Sequence, residues 1–403
     1  MAFIFPFAAL RPTREAAASV AAVPYDVVSV EEAQALAEGN PLSFLHVSRA
    51  EIDLPRGTDP HSDGVYDRAA ENFNDLRTHA PLVEEDAPAF YVYRLRMGDH
   101  TQTGLAACFS IDEYENDVIR KHEKTRPDKE DDRTRHMLAI SAQTGPVFLT
   151  YAASSPVDAL VSRATSQPPL FDFVAPDGIR HEVWSLPASD RESLTAAFAA
   201  IPHLYIADGH HRAASAARTR RALVGRGPGE HDRVLGVAFP DNQVQILAYN
   251  RVVKDLNDLD PEQFLDAVRT YVSVSAASSS TPARKGQAAM YLAGQWYGLD
   301  LGSVARKGGD AALDVSILQD AVLDPVLGIK DLRTDKRIDF VGGIRGAAEL
   351  ERLVDAGQGA VAFSLYPVTV GDLMKIADAG GIMPPKSTWF EPKLRDGLLS
   401  HLI

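Results

Sequence analysis

One junction between an apolar run and a polar string constrains the fold more than any other part of the sequence. Residues 204–207 have the length and composition of a short buried strand. The string Asp208-Gly209-His210-His211-Arg212 follows, and an alanine-rich segment typical of a helix, residues 213–223, comes next. A glycine directly after a strand permits a tight backbone turn. The pattern therefore predicts a strand–turn–helix unit in an α/β protein.

The same junction predicts an anion site. The first N–H groups of a helix lack intrahelical partners, and the positive end of the helix dipole lies there. His210, His211 and Arg212 add side-chain donors at that point. Asp208 has three open roles, namely capping the helix, orienting a histidine or binding a metal. An ordinary capped helix with surface histidines is the alternative to a phosphate or nucleotide site.

A second, densely charged segment lies upstream. Residues 122–136 read HEKTRPDKEDDRTRH. Phosphoryl transfer needs cations on the oxygens of the transferred group, a carboxylate that takes a hydroxyl proton and, often, carboxylates that hold magnesium. All three residue types are present here. A loop or an exposed, ion-paired helix without chemistry is the alternative.

Two further segments could hold an anion. The proline-rich string MPPKSTWFEPK at 383–393 predicts a stiff loop that positions Lys386 with little entropy loss on binding. The alternative is a loop with a purely structural role, which holds the C-terminal part of the chain in place. Residues 342–346, GGIRG, also join a predicted strand to a helix, but they lack the dinucleotide fingerprint and the Walker lysine.

Length and periodicity predict three regions. A chain of 403 residues exceeds the usual size of a single core. We expect an α+β region over 1–110, a motif-bearing α/β region over 111–258 and a C-terminal α/β domain over 259–403. Apolar spacing predicts amphipathic helices over 62–77 and 261–271. Alternating runs predict one hairpin over 90–111 and another over 234–249, and a βαβ-type arrangement is expected over 338–365.

Charge and cysteine content narrow the class of partner. The net charge of −14 opposes binding to nucleic acid, because phosphate backbones are repelled. No apolar run approaches the roughly 18 residues that a membrane span needs, and the first residues lack a signal-peptide pattern. The single cysteine, Cys108, fits a reducing compartment and a buried, inert position. We therefore expect a cytoplasmic protein whose partners are a nucleotide and a small molecule, with neither nucleic acid nor membrane involved.

Five strings resemble a known bacterial and archaeal family, the one named domain of unknown function 1015. They are AAVPYDVVSVEEA, SFLHVSRAEIDLP, HEKTRPDKEDDRTRH, LYIADGHHRAASA and MPPKSTWFEPKL, in this order nearly from end to end. Residues 208–212 also look like the phosphate-binding motif of the ParB/sulfiredoxin superfamily, which includes free-serine kinases. The resemblance implies a mixed α/β (α+β) fold, with a ParB/sulfiredoxin-like core between an N-terminal α+β region and a C-terminal βαβ-type domain.

The resemblance also implies an activity. In the serine kinases an upstream glutamate at a helix start is the base, and chain order matches it to Glu123. The implied function is a nucleotide-dependent kinase that uses ATP or ADP with Mg²⁺ on a small hydroxylated metabolite, with free L-serine the best single acceptor. A phosphatase acting on phosphoserine, and a non-enzymatic nucleotide-binding regulator, are the alternatives.

The implied site draws on each of these segments. Its catalytic residues are Glu123, His211 and Lys124. Its nucleotide-binding residues are Asp208, Gly209, His210, His211, Arg212, Arg126, Lys129 and Lys386. Asp208 is also the expected magnesium ligand.

Overall fold

A computed structural model describes residues 2–79, 81–277, 279–304 and 313–403. The strands are β1 (Ile4–Phe5), β2 (Ala9–Pro12), β3 (Leu82–Glu84), β4 (Tyr91–Met97), β5 (His100–Ser110), β6 (Ile119–Arg120), β7 (Ala142–Gln143), β8 (Val147–Tyr151), β9 (Phe171–Val174), β10 (Arg180–Ser185), β11 (Leu204–Asp208), β12 (Arg233–Pro240), β13 (Gln245–Leu247), β14 (Tyr249–Val253), β15 (Ser273–Ala276), β16 (Gln287–Leu292), β17 (Gln295–Asp300), β18 (Ile338–Gly342), β19 (Val361–Leu365), β20 (Trp389–Glu391) and β21 (Ser400–Leu402). The α-helices are α1 (Ala17–Val20), α2 (Val30–Ala37), α3 (Leu45–Ser48), α4 (Asp63–Thr78), α5 (Ile111–Glu115), α6 (Pro127–Ile140), α7 (Ser155–Ala164), α8 (Arg191–Ala199), α9 (His210–Ala222), α10 (Pro261–Tyr271), α11 (Asp314–Leu318), α12 (Gly346–Asp355) and α13 (Val370–Asp378). The predicted mixed α/β class is confirmed. None of these helices combines the length and apolar character that crossing a bilayer requires.

The chain divides into two compact units, where three regions are expected from the sequence. The first unit contains Met1–Val244 and Pro392–Ile403, and the second contains Gln245–Glu391. The expected boundary near residue 110 is absent because β5 pairs with β12 from Arg233 to Ala238, so both segments belong to one sheet. The last twelve residues rejoin the first unit because β21 pairs with β2 and β7.

The first unit is built on a large mixed sheet. Its strand order is β6-β11-β8-β12-β5-β4-β10-β9, and β1 also pairs with β5. β11 lies between β6, which is parallel to it, and β8, which is antiparallel. Ala213, Ala216 and Ala217 of α9 belong to the same buried apolar cluster as Leu149 and Ile206 of the sheet. The small alanine side chains therefore let α9 pack closely on the strand that precedes it.

A second apolar cluster lies beside the smaller sheet β3-β2-β21-β7. The predicted helix over 62–77 is confirmed as α4, whose buried face presents Val65, Ala69 and Phe73 to this cluster. The α2 helix begins with a reciprocal capping box between Ser29 and Glu32. These elements place the N-terminal third of the chain against α6 and the C-terminal strand.

The expected hairpin over 234–249 is wrong. β12 is an interior strand that pairs with β5 on one side and β8 on the other, so neither of its edges is open to β13. A 3-10 turn at Asp241–Gln243 leads out of the first unit, and β13 pairs with β20 in the second. The alternating pattern was correct for each strand, but the pairing depended on the rest of the sheet.

The second unit is an antiparallel sheet with the order β15-β17-β16-β19-β14-β18. The helix predicted over 261–271 is confirmed as α10. β18 and β19 are both antiparallel to β14 and are therefore parallel to each other, with α12 between them in sequence. The expected βαβ-type arrangement thus occurs in a split form, because β14 lies between its two parallel strands.

Cys108 lies in the interior strand β5 and is fully buried. Burial raises the pKa of its thiol, because the thiolate would lose its hydration. The expectation of a buried, inert cysteine is therefore supported by its surroundings.

Close strand packing at Gly104 provides a test of the central sheet. A Cβ atom added at Gly104 would lie 2.7 Å from Phe239 Cδ1 and 2.8 Å from the Ala238 carbonyl oxygen. We expect Gly104→Ala to lower the free energy of unfolding by about 1–3 kcal/mol, measured by urea denaturation. Gly64→Ala is the control, because a Cβ there meets nothing within 4 Å on α4 and alanine favours helix. Equal stabilities of the two variants would contradict the β5–β12 packing.

Candidate functional site

The predicted strand–turn–helix junction is present. β11 ends at Asp208, and α9 begins at His210. Gly209 joins them with a φ of 95°, in the left-handed region that favours glycine. The first α-helical hydrogen bond runs from the Ala213 N–H to the Gly209 carbonyl at 3.0 Å. The N–H groups of residues 210–212 therefore precede the intrahelical hydrogen bonds of α9. The helix start is therefore suited to an anion.

Arg212 is fixed under this turn. Its Nη1 donates to the Pro146 carbonyl, and its Nη2 lies 3.4 Å from Asp208 Oδ2. A Cβ atom at Gly209 would lie 2.9 Å from the Cζ and Nε atoms of Arg212. The guanidinium thus packs directly against the glycine, which explains why the turn needs a residue with no side chain.

Asp208 forms ion pairs with two cations. Besides Arg212, the Lys393 Nζ lies 3.2 Å from Asp208 Oδ2. Burial alone would raise the pKa of Asp208, but Lys393 and Arg212 outweigh it and hold that pKa well below its usual range. Of the three roles open to Asp208, the helix cap is not observed, since Gly209 occupies the N-cap position with no side-chain bond.

The two histidines hold the upstream charged segment. The His122 N–H donates to His210 Nε2 at 3.4 Å, and the Arg126 N–H donates to His211 Nε2 at 3.1 Å. The His122 and His210 rings also meet edge to face, with centroids 4.4 Å apart. Glu123 lies between these two anchor points in the chain and is half-buried. The histidines therefore bring the segment that carries Glu123 to the start of α9.

His210 and His122 are neutral at physiological pH. Burial, with the neighbouring His122, lowers the pKa of His210 well below its usual range. Burial likewise lowers the pKa of His122 to about 4. Because the Nε2 of neutral His210 accepts a hydrogen bond, its Nδ1 carries the proton. A protonated His210 could not accept from His122, so burial preserves the contact.

The rest of the charged segment is a helix with exposed cations. α6 begins at Pro127, and around its start Lys124 and Arg126 are exposed while Lys129 is half-buried. Arg126 pairs with Asp128, with an Nη2–Oδ2 distance of 2.7 Å. The segment is thus an ion-paired helix, but it is not exposed all round, because Asp132, Thr134 and His136 are buried. The predicted anion-binding cations lie on its first turn or just before it.

The start of α6 is also tied to α9. The Ser215 hydroxyl donates to the Glu130 carbonyl at 3.1 Å, and Arg218 pairs with the Glu130 carboxylate at 3.2 Å. These contacts and the two histidine bonds act on both sides of Pro127. They fix the segment at its entry and along its first turns.

Lys386 lies in the second unit. It is exposed, has a φ of 56°, and its ammonium lies 5.5 Å from the centre of the Tyr249 ring. Its carbonyl accepts a hydrogen bond from Arg251 Nη2 at 3.1 Å. The role predicted for Lys386 at the nucleotide remains a prediction.

Lys393, the lysine that contacts Asp208, is not among the site residues predicted from the sequence. It lies in the same proline-rich string as Lys386, seven residues later. Composition alone makes the two lysines equal candidates for the site. They differ because Pro392–Ile403, which contains Lys393, belongs to the first unit. The spacing of residues in this string does not predict that Lys393, which follows the last proline, is buried.

Magnesium at Asp208 does not fit this arrangement. Both cations contact the same Oδ2 atom, so a metal there would meet two positive charges. Within the described ranges, no group of three or more histidine, cysteine, aspartate or glutamate side chains could hold a metal ion. Mg²⁺ commonly binds through nucleotide phosphates and water with one or two carboxylates, which needs no such cluster.

The left-handed turn at Gly209 can be tested by substitution. We expect Gly209→Ala to lower the free energy of unfolding by about 2–4 kcal/mol, because the strain of a positive φ is added to a collision with Arg212. Gly178→Ala is the matched control, since Gly178 has a φ of 80° but an added Cβ meets nothing within 4 Å. Urea denaturation measures both. A Gly209→Ala loss no larger than that of Gly178→Ala would contradict the packing of Arg212.

The paired charge of Asp208 predicts a pH dependence. Its pKa is lowered in the folded protein, so its carboxylate stabilises the fold above the ordinary value of about 4, and this contribution is lost as pH falls further. We expect Asp208→Asn to cost about 3 kcal/mol at pH 7, with the difference from wild type shrinking below pH ~4. Denaturation at several pH values measures it. The exposed Asp117→Asn, which loses only a surface pair with Lys121, should cost less than about 1 kcal/mol.

Solved structures provide distant likenesses. A free serine kinase in complex with AMP is 13% identical, with a TM-score of 0.37, covering 73% of this chain and 92% of that one. A variant of free serine kinase with ADP is 14% identical at a TM-score of 0.36, with the same coverages of 73% and 92%. C-terminally truncated SbnI from Staphylococcus aureus is 11% identical at a TM-score of 0.40, covering 74% of this chain and 87% of that one. No curated protein matches the sequence significantly.

A family model matches residues 4–316, more than three quarters of the chain. The match spans the first unit up to Val244, including β11, Gly209, α9 and the charged segment before α6. The chain therefore belongs to the family described as protein of unknown function (DUF1015).

Proposed function

We propose that the chain is a nucleotide-dependent kinase that phosphorylates a small hydroxylated metabolite, with free L-serine as the best single acceptor. One observation carries the proposal. The Nε2 atoms of His210 and His211 accept backbone N–H groups on either side of Glu123, which holds this carboxylate segment at a helix start suited to phosphate. A carboxylate and an anion site held together are the minimum that this reaction needs.

The proposed roles follow from the residue chemistry. The N–H groups at the start of α9 and the Arg212 guanidinium bind the phosphates of ATP or ADP. Glu123 accepts the proton of the acceptor hydroxyl as its oxygen attacks the terminal phosphorus and the nucleotide leaves. Lys124, Arg126 and Lys129 neutralise the oxygens of the transferred group. His211 positions the segment through Arg126, and Asp208 keeps Arg212 in place.

Turnover by a Glu123 variant tests the proposal. We expect wild-type protein to convert L-serine to phosphoserine with ATP or ADP, and Glu123→Gln to lower kcat by about 100-fold or more, because the amide cannot accept the proton. The KM for nucleotide should change little. Phosphoserine formation is measured directly by mass spectrometry, so that background nucleotide hydrolysis is not counted.

Glu71→Gln is the matched control, since Glu71 is an exposed glutamate on α4 that pairs only with neighbouring Arg68 among the described ion pairs. Full activity of Glu123→Gln, or nucleotide consumption that does not depend on serine, would contradict the proposed kinase activity. Release of phosphate from phosphoserine without nucleotide would instead identify a phosphatase. Nucleotide that raises the melting temperature without any turnover would identify a binding protein.

A further inference from the structure

A small cavity of about 20 Å³ lies in the first unit, and Arg212 lines it together with residues from five other segments. Its polar and charged lining includes Tyr25, Ser48, Arg133, His136, Arg212 and Asp396. The volume somewhat exceeds the roughly 10–15 Å³ that one water molecule needs. It therefore admits a group of a few atoms and excludes a bulky one.

Positive charge and hydrogen-bond donors dominate this lining. Arg133 and Arg212 are two cations, and Arg133 stacks over the Tyr25 ring with its Cζ 4.1 Å from the centre. Arg133 pairs at 2.8 Å with Asp132, which is not among the lining residues. Burial, with Arg133 nearby, lowers the pKa of His136 to about 4, so this ring is neutral. The ligand that matches such a lining carries oxygen acceptors and negative charge.

Two buried polar atoms of the lining side chains lack partners among the described residues. They are Ser48 Oγ and Arg212 Nε, on residues that are 3% and 5% exposed. Buried hydroxyl and guanidinium groups are nearly always hydrogen-bonded in folded proteins. The residues that line the cavity thus carry two buried donors that no described acceptor uses.

Asp396 is the one carboxyl group in the lining and is 3% exposed. It approaches Gly145 so closely that an added Cβ there would lie 2.7 Å from Asp396 Oδ1. Burial raises the pKa of Asp396 to about 7, against the lowering effect of Arg212, Arg133 and Arg395, while Asp26 raises it further. A protonated Asp396 would add another donor beside a bound anion.

We propose that this cavity binds the carboxylate group of a small organic acid, with Arg133 and Arg212 as its cationic partners and the Ser48 hydroxyl as a hydrogen-bond donor. The two oxygens of a carboxylate match the two guanidinium groups and the available space. Binding itself requires no nucleotide and no turnover. The further statement that this acid is the phosphoryl acceptor, and hence a hydroxy acid, rests on the proposed function.

Binding without nucleotide tests the proposal first. L-Serine and glycerate are the probes, and serinol and glycerol are their counterparts without a carboxylate. We expect calorimetry to show saturable binding of the two acids and at least tenfold weaker binding of the two alcohols. No binding of either acid at tens of millimolar, or equal binding of serinol, would overturn the assignment.

Two cavity variants then place the bound carboxylate. Ser48→Ala should weaken binding of L-serine by about tenfold, because a hydrogen bond to a charged group is lost. Asp396→Asn should strengthen binding and abolish proton uptake on binding, because the carboxyl that competes with the ligand and gains the proton is gone. Ser364→Ala is the matched control, since Ser364 is also 3% exposed but lies in β19 of the second unit.

Circular dichroism establishes whether each variant folds. If Ser48→Ala does not fold, the affinity of Asp396→Asn still tests the proposal. Wild-type affinity in both cavity variants would overturn the proposal. The two proposals fail separately. If carboxylate binding depends on Ser48 but no phosphoserine is formed, only the proposed kinase activity is ruled out. If phosphoserine is formed but neither variant changes the affinity for serine, only the assignment of the cavity is ruled out.

Discussion

The ion pairs of Asp208 with Arg212 and Lys393 are the interaction on which the site depends. A carboxylate at the end of an interior strand is stable only if its lost hydration is replaced, and the two cations do this. The same pairs hold the Arg212 guanidinium against Gly209 and bring the C-terminal segment, through Lys393, to the end of β11. One charge therefore links the turn, the helix start and the end of the chain.

The histidines show how burial decides the use of a side chain. From the sequence, His210 and His211 are donors for phosphate. In the structure the Nε2 atom of each ring accepts a backbone N–H, and the low pKa of His210 keeps this ring able to accept. The two bonds hold the segment that carries Glu123 next to the start of α9. A phosphate role for the histidines stays a prediction.

Arg212 connects the proposed nucleotide site with the cavity. Its Nη atoms contact Asp208 and Pro146, while its side chain also lines the space shared with Ser48 and Asp396. The cavity receives residues from four of the five strings through which the sequence resembles its family, and Asp396 follows the fifth by two residues. Segments that looked unrelated along the chain are thus neighbours around one guanidinium.

The sequence by itself determined the local elements with strong periodicity. The strand–glycine–helix junction at Gly209, the helices α4 and α10, and a buried Cys108 all follow from apolar spacing and residue chemistry within a few positions. Partners far apart in the chain were decided only by the tertiary structure. β12 pairs with β5 and β8 and leaves no edge for β13, Lys393 contacts Asp208 while Lys386 lies in the second unit, and the cavity joins Tyr25 to Asp396. The reason is physical: spacing reports which face of an element is buried, but which side chains meet depends on the packing of all the other elements around them.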